Sequence, residues 1–280
     1  MGNRRFALSF VILLAATVAL AQGTYTQIDV PGAAVTEATG INKAGEIVGS
    51  YADALGGHGF LLQNGVFTTI DYPGVQYSYA ERLNDKGQIV GLAEPVGYVY
   101  DVPTQTFTAI SYPGAAYTFP LAINNTGTIA GYYQVIKNGQ LATVGFEMTG
   151  STFRDILPPG ADGASPQGIT IGGRVVGYAY FRSKAANLNF GCAQSQCRSI
   201  TIPNAPGALV YGVNPEGTAV IGSYDALSGL TGFIYQNGIL QSLSFPGSIT
   251  TEAYGINAAG QVVGVFLDSS LQTHGFLWTP

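Results

Sequence analysis

One pattern returns six times along this chain and limits what it can fold into. It reads apolar-Asn-x-x-Gly-x-apolar-apolar-Gly and is clearest in Gly40-Ile41-Asn42-Lys43-Ala44-Gly45-Glu46-Ile47-Val48-Gly49. Later copies begin at Leu83, Ile123, Ile169, Val213 and Ile256, so successive copies start 42, 40, 46, 44 and 43 residues apart. A period of this size marks an array or a propeller. Two further positions keep step with it. Pro-Gly lies with its Gly ten residues before the Asn slot (Gly32, Gly74, Gly114, Gly160, Gly247), with Pro203-Asn204 standing in once. A Gly-aromatic pair follows the Asn slot at Gly59-Phe60, Gly97-Tyr98, Gly145-Phe146, Gly232-Phe233 and Gly275-Phe276, with Asn189-Phe190 in the fourth copy.

Each period therefore holds four short strand candidates, here called a to d. In the first copy they are Thr36–Asn42, Glu46–Tyr51, Gly59–Gln63 and Val66–Tyr72. These runs are rich in Val, Thr, Tyr and Phe and too short for helices. Asn42-Lys43-Ala44-Gly45 suits a type I turn, with Asn first and Gly fourth. Asn64-Gly65 and Asn237-Gly238 suit two-residue hairpins. The chain ends are out of phase. Tyr25–Gly32 is a strand d with no a, b or c before it, and the C-terminus supplies a, b and c with no d. Pairing the N-terminal strand with the C-terminal ones completes a sixth blade. The fold expected is all-β: a six-bladed propeller of four-stranded blades, closed by that pairing, which hides sheet edges that would otherwise invite aggregation.

Composition fits this reading. The chain has 280 residues, 39 of them Gly and 31 Phe or Tyr, and only 10% are charged. Its net charge is −5 and no basic run follows the first residues, so nothing supplies the footprint for nucleic acid. Arg4 and Arg5, the apolar run Phe6–Leu20 and Ala19-Leu20-Ala21 before Gln22 have the form of a secretory leader. Cleavage leaves residues 22–280 as one domain, with net charge −7. No later stretch is long enough to span a membrane. The expected product is a secreted monomer, periplasmic or extracellular. There Cys192 and Cys197 would close a disulfide across a hairpin of the fourth blade.

Gly-Ile-Asn-x-x-Gly-x-Ile-Val-Gly followed by His-Gly-Phe resembles the HAF-repeat family of extracellular bacterial proteins. The best matches are Gly40–Gly49 with His58-Gly59-Phe60, and Gly255–Gly264 with His274-Gly275-Phe276. The resemblance covers essentially all of the mature chain, with degenerate middle copies such as Thr170 for Asn. It implies secretion and a propeller-like repeat, and it brings no catalytic residues.

The candidate functional residues sit in repeat slots. Glu37, Glu81 and Glu252 lie on strand a, which lines the central channel. Glu37 and Glu252 share a slot that Tyr79 and Phe119 fill in the next two blades. Acidic groups beside aromatic faces suit a polar ligand such as a glycan, and paired carboxylates could also serve acid–base hydrolysis or lysis. The alternative is acids that merely solvate a wet channel. Asp53, Asp225 and Asp268 are placed in the b–c loops, as contacts to Ca²⁺ or sugar hydroxyls or as Asx caps of their own turns. One Asp per blade falls short of the six to eight oxygens that Ca²⁺ takes. No metal site or cofactor is therefore expected, Ca²⁺ being the one ion these loops would suit. His58 and His274, the only histidines, share a slot and read as turn caps or interblade packing. There is no Ser-His-Asp set, phosphate loop or metalloprotease helix. The function expected is non-catalytic binding or scaffolding of a glycan or protein. The recognition face carries the Pro-Gly loops and the variable b–c loops, which include the long Gln134–Val144 segment. The alternative is a polysaccharide hydrolase or lyase working at the channel mouth.

Overall fold

The computed structural model describes residues 23–137, 139–182, 186–194, 196–227 and 229–280. The expected leader lies outside them. After β1 (Thr24–Ile28), blade 1 is β2–β5 (Val35–Ile41, Ile47–Ala52, Gly57–Gln63, Val66–Ile70) and blade 2 is β6–β9 (Tyr79–Leu83, Gln88–Ala93, Val96–Asp101, Thr106–Ile110). Blade 3 is β10–β13 (Tyr117–Ile123, Ile129–Lys137, Gln140–Thr149, Thr152–Ile156). Blade 4 is β14–β17 (Gly163–Ile169, Val175–Phe181, Ala186–Ala193, Gln196–Ser199). Blade 5 is β18–β21 (Leu209–Val213, Ala219–Ala226, Gly229–Gln236, Ile239–Leu243). The last three strands are β22–β24 (Thr250–Ile256, Val262–Leu267, Thr273–Thr279). The chain thus forms six four-stranded antiparallel sheets, and the sixth has the order β1-β24-β23-β22. The closure runs from Thr24 opposite Thr279 to Ile28 opposite Gly275. The six-bladed, N-to-C closed propeller expected from the phase of the repeat is the fold observed.

The motif residues earn their places through bonds. Asn42 Oδ1 accepts the backbone N–H of Ala44 and of Glu46, both at 3.0 Å. The same clamp recurs at Asn84, Asn124 and Asn257. The turn glycines have φ between +77° and +82°, a region closed to most side chains. The Asn side chain also reaches the next blade: Asn84 Nδ2 donates to Asn124 O, Asn124 to Thr170 O and Asn257 to Asn42 O, each at 3.0 Å. The last of these crosses the closure seam. Asn64 and Gly65, and Asn237 and Gly238, all have positive φ, as two-residue hairpins require.

Strand a carries a one-residue bulge in every blade, between Ala38 and Gly40 in the first and at equivalent positions in the others. This explains the closing Gly of the motif. A Cβ on Gly49 would collide with the carbonyl oxygen of Glu37, and Gly91, Gly131, Gly177, Gly222 and Gly264 face the same oxygen in their blades. The aromatic of each Gly-aromatic pair is the core of its blade: Phe60, Tyr98, Phe146, Phe233 and Phe276 are fully buried. Burying each contributes on the order of 2–3 kcal/mol. Apolar clusters join each blade to its neighbour, including Ile28, Ala38, Phe60 and Val263 across the closure.

Two local expectations are corrected. The Gln134–Val144 segment is not a loop. Ladder pairing of β11 with β12 continues from Tyr133–Val144 out to Lys137–Gln140, so it is an extended hairpin. Asp225 is not in a loop either. It lies within β19, opposite Leu230 of β20, because the blade 5 b–c connection is also a lengthened hairpin.

Candidate functional site

The bulge that constrains the motif Gly also shapes the channel. Its extra residue is Thr39, Glu81, Leu121, Gln167, Tyr211 or Tyr254, according to the blade, and a bulge re-aims the side chains around it. The next slot is Gly in blades 1, 4, 5 and 6 and Ala in blade 3. A Cβ on Gly40 presses on the backbone of Arg82 and Glu81, and one on Gly255 presses on Gly40 and Thr39 O. Blade 2 instead places Arg82 there. Its guanidinium donates to Glu81 O (2.8 Å), Tyr254 O (2.8 Å) and Tyr211 O (3.1 Å), so it spans from blade 2 to blades 5 and 6. Arg82 lines two cavities. One, of about 80 Å³, is walled by the a–b turns, including Asn42, Asn84, Asn124 and Asn257. The other, of about 210 Å³, is lined by Glu37, Thr39, Glu81, Arg82, Leu121, Gln167 and Tyr254. Arg82 is thus a plug across the channel. The sequence signal for it was available: one cation in a slot otherwise held by Gly or Ala.

Of the residues singled out from sequence, Glu37 and Glu81 share this cavity. Glu252 is tied to it through Tyr254, whose hydroxyl donates to Glu252 Oε2 at 3.3 Å. Burial pushes the Glu81 carboxyl up to about 7. Arg82 pulls it down and the charge of Glu37 adds to the rise. Burial also raises Glu37, with Glu252 contributing. Glu252 is raised by burial, against hydrogen bonds from Tyr254 and Ser223. Burial lowers the Arg82 pKa, against the charges of Glu81 and Tyr254.

Tyr79 packs beside Gly57 of blade 1, where its ring would meet any added Cβ. Phe119 stacks on its ladder partner Tyr132 with centroids 4.6 Å apart and planes at 28°. From Tyr254 a run of tyrosines leads away from the cavity, with Tyr254 near Tyr211 (5.3 Å) and Tyr211 near Tyr178 (6.4 Å). Between blades 3 and 4 lies a separate groove of about 380 Å³, whose lining includes Tyr132, Tyr178, Tyr180, Asp162 and Arg182. None of these was singled out from sequence, because tyrosines are spread along the whole chain.

Asp53 and Asp268 belong elsewhere, beside the c and d strands. Asp53 Oδ1 accepts from Leu55 N at 2.7 Å, and Asp268 Oδ1 from Ser270 N and Gln272 N at 2.8 and 2.9 Å, which are Asx turns. Each also touches the histidine of its blade. His58 bonds Asp71 through Nδ1 (2.9 Å) and Asp53 through Nε2 (3.3 Å). His274 bonds Asp29 through Nδ1 (2.8 Å) and Asp268 through Nε2 (3.4 Å). The rings stack on Tyr51 and Phe266. Burial lowers each imidazole pKa, but the hydrogen bonds and charges of its two aspartates outweigh this, and both are raised. The two carboxylates of each set meet opposite ring nitrogens, so the three groups do not converge on one point. Among the described residues no set of three or more His, Cys, Asp or Glu is placed to hold a metal ion. Asp225 lies against the turn at Gly207, with its backbone N–H on Pro206 O at 3.0 Å. Cys192 and Cys197 are ladder partners in β16 and β17 and form the expected disulfide.

The fold and channel define the class, a six-bladed β-propeller. No protein-family profile and no curated protein matches the chain. Solved propellers do match. The propeller domain of the Trilobed protease from Pyrococcus furiosus aligns at 10% identity over 88% of this chain and 81% of that one, with a TM-score of 0.59. That domain is described as having an open velcro topology, whereas here β1 closes the ring. XC5397 from Xanthomonas campestris, a gluconolactonase, aligns at 12% identity over 93% and 91% of the two chains, with a TM-score of 0.57. A luciferin-regenerating enzyme aligns at 12% identity over 92% and 95%, with a TM-score of 0.53. At these identities the likeness is one of fold alone.

Proposed function

We propose that this protein is a secreted, non-catalytic propeller of the HAF-repeat kind that binds a glycan or a protein in the periplasm or at the cell surface. The observation that carries the reading is the Arg82 plug. It closes the channel beside a cavity where Glu37 and Glu81 meet Tyr254, whose hydroxyl bonds Glu252 and whose ring packs near Tyr211. His58, His274 and their aspartates are engaged in holding loops. The Cys192–Cys197 disulfide suits an oxidising compartment. The test is retention of residues 22–280 on immobilised glycans, cell-wall fragments and surface proteins. Selective retention on one class supports the reading, and no retention on any of them contradicts it.

One observation favours a second reading. Glu37 and Glu81 share a cavity, and Glu81 is held to about 7, where a carboxyl can donate and accept a proton near neutral pH. A polysaccharide hydrolase or lyase would use them as its acid–base pair. Turnover of any polysaccharide that Glu81→Gln abolishes would establish this reading, and turnover that survives both Glu37→Gln and Glu81→Gln would remove it.

A further inference from the structure

The groove between blades 3 and 4 exists because blade 4 departs from the repeat. Five residues before the turn, strand a holds Glu37, Tyr79, Phe119, Ser165, Leu209 and Glu252 in blades 1 to 6. This slot faces a ladder partner on strand b. In blade 3 the pair is Phe119 with Tyr132, and the two rings stack at 4.6 Å. In blade 4 the pair is Ser165 with Tyr178. The two residues before Ser165 are Gly163 and Ala164, so this end of β14 is built from small side chains. The space is walled on its other side by the extended β11–β12 hairpin, through Gln134 and Thr143.

Tyr178 and Tyr180 are two residues apart on β15, so both present to one face of the sheet and both line the groove. Tyr180 is 46% exposed. Tyr132 completes the aromatic wall from blade 3. Polar groups sit beside the rings. Asp162 Oδ2 accepts the backbone N–H of Arg182 at 2.7 Å, which fixes the carboxylate and leaves its other oxygen to accept. Arg182 is exposed and contributes a donor.

We propose that this groove binds a pyranose unit of a glycan, stacked on Tyr178 in the position that Phe119 takes over Tyr132. The proposal rests on the binding reading above and names its site and ligand class. A pyranose has an apolar C–H face and a rim of hydroxyls, and the groove offers aromatic faces with a carboxylate and a guanidinium at their edge. Its volume of about 380 Å³ lies in the range of small-ligand pockets, roughly 300–1,000 Å³. A folded protein partner would need on the order of 800 Å² per side, which a groove of this size does not supply. A phosphate-bearing ligand would meet the Asp162 carboxylate.

The test uses residues 22–280 and a panel of gluco-, manno-, galacto- and chito-oligosaccharides of two to six units, read by calorimetry. Three variants accompany it. Tyr178→Ala and Tyr180→Ala remove the stacking faces. Ser165→Phe refills the slot as blade 3 does and covers Tyr178. The expected result is binding of at least one oligosaccharide by the wild type. Tyr178→Ala and Ser165→Phe should weaken it at least tenfold and Tyr180→Ala less, with thermal midpoints near wild type for Ser165→Phe and Tyr180→Ala. His58→Gln, which lies beside the c and d strands of blade 1, should leave the affinity unchanged. Oligosaccharide binding that survives both Ser165→Phe and Tyr180→Ala overturns the groove proposal and leaves the binding propeller standing. Retention of proteins alone, with no oligosaccharide bound, does the same. Absence of any binding overturns both.

Discussion

Blade 6 and blade 4 share strand order and turn geometry, yet they hold their neighbours by different means. Blade 6 keeps the repeat residues. Asn257 clamps its own turn and donates across the seam to Asn42 O, Thr251 Oγ1 accepts Phe245 N–H, and Gly275 packs flat on the backbone of Ala38. Blade 4 has replaced most of them. Thr170 keeps one of the clamp bonds, to Arg174 N, and the link to blade 5 runs instead through Ile171 N–H to Pro215 O. Asn189 stands where other blades have Gly. It bridges the seam to blade 5 by donating to Ala208 O at 2.8 Å and accepting from Val210 N–H at 2.9 Å. A hairpin disulfide is added at its outer edge. Where the chain repeats itself the side chains build the ring. Where it departs, a new bond repairs the seam and space opens on the loop face.

The largest effect is expected at the closure. Deleting β1 strips Ile28 from the core and leaves β24 an open edge. The thermal midpoint should fall by more than about 10 °C, or folding should fail. A calorimetric scan within a few degrees of wild type would mean that the ring does not depend on its closure.

Next is Asn257→Ala, which leaves buried backbone groups at the closure unpaired. It should cost about 2–4 kcal/mol, and Asn257→Thr should cost less, since Thr170 shows that a hydroxyl keeps one bond of the clamp. Denaturant titration of the two variants checks the order.

The channel gives a pH-dependent effect. Glu81 has its pKa raised on folding by burial, so the folded state holds the proton more tightly. Stability is then greatest below the unfolded value near 4.5 and falls as pH rises through about 7. Glu81→Gln should flatten that fall, with a gain on the order of 1–3 kcal/mol at pH 8 and little change at pH 4. Denaturation midpoints across pH 4–8 measure it, and a wild-type slope retained in the variant would remove Glu81 as its source.

The smallest effect belongs to the two histidines, whose side chains are 15% and 20% exposed. Both pKa values are raised on folding, so their contribution is full below about 6.5 and is lost as pH rises through the folded values. His58→Gln and His274→Gln should each cost below about 1 kcal/mol at pH 5.5 and nothing at pH 9. A loss that stayed constant across this range would point to packing on Tyr51 and Phe266 instead.

The sequence allowed the ring to be read because its repeating residues are bond-makers with fixed partners. Asn42, Gly45 and Gly49 each answer one local demand, and that demand recurs in every blade. The out-of-phase ends then left one way to close. The site was less legible for two reasons. Simple alternation puts Arg82 on the same face as Ala80. The bulge advances the ladder by one residue between them and turns Arg82 to the opposite face. Tyr178 looked like any other strand tyrosine. Its difference lies in its partner Ser165, and that pairing is visible only once the register is known. Asp225 and the Gln134–Val144 segment were read as loop because their polar residues resemble turn residues, whereas hairpin extension absorbed both into strands.

Repeat residues build the ring, and departures from the repeat are proposed to carry recognition. This division is tested most directly by measuring thermal midpoint and oligosaccharide affinity on Asn257→Ala and Ser165→Phe side by side. Asn257→Ala should lower the midpoint by roughly 5–10 °C while keeping wild-type affinity, and Ser165→Phe should keep the midpoint and lose the ligand. A Ser165→Phe variant that binds as wild type, or an Asn257→Ala variant as stable as wild type, would contradict it.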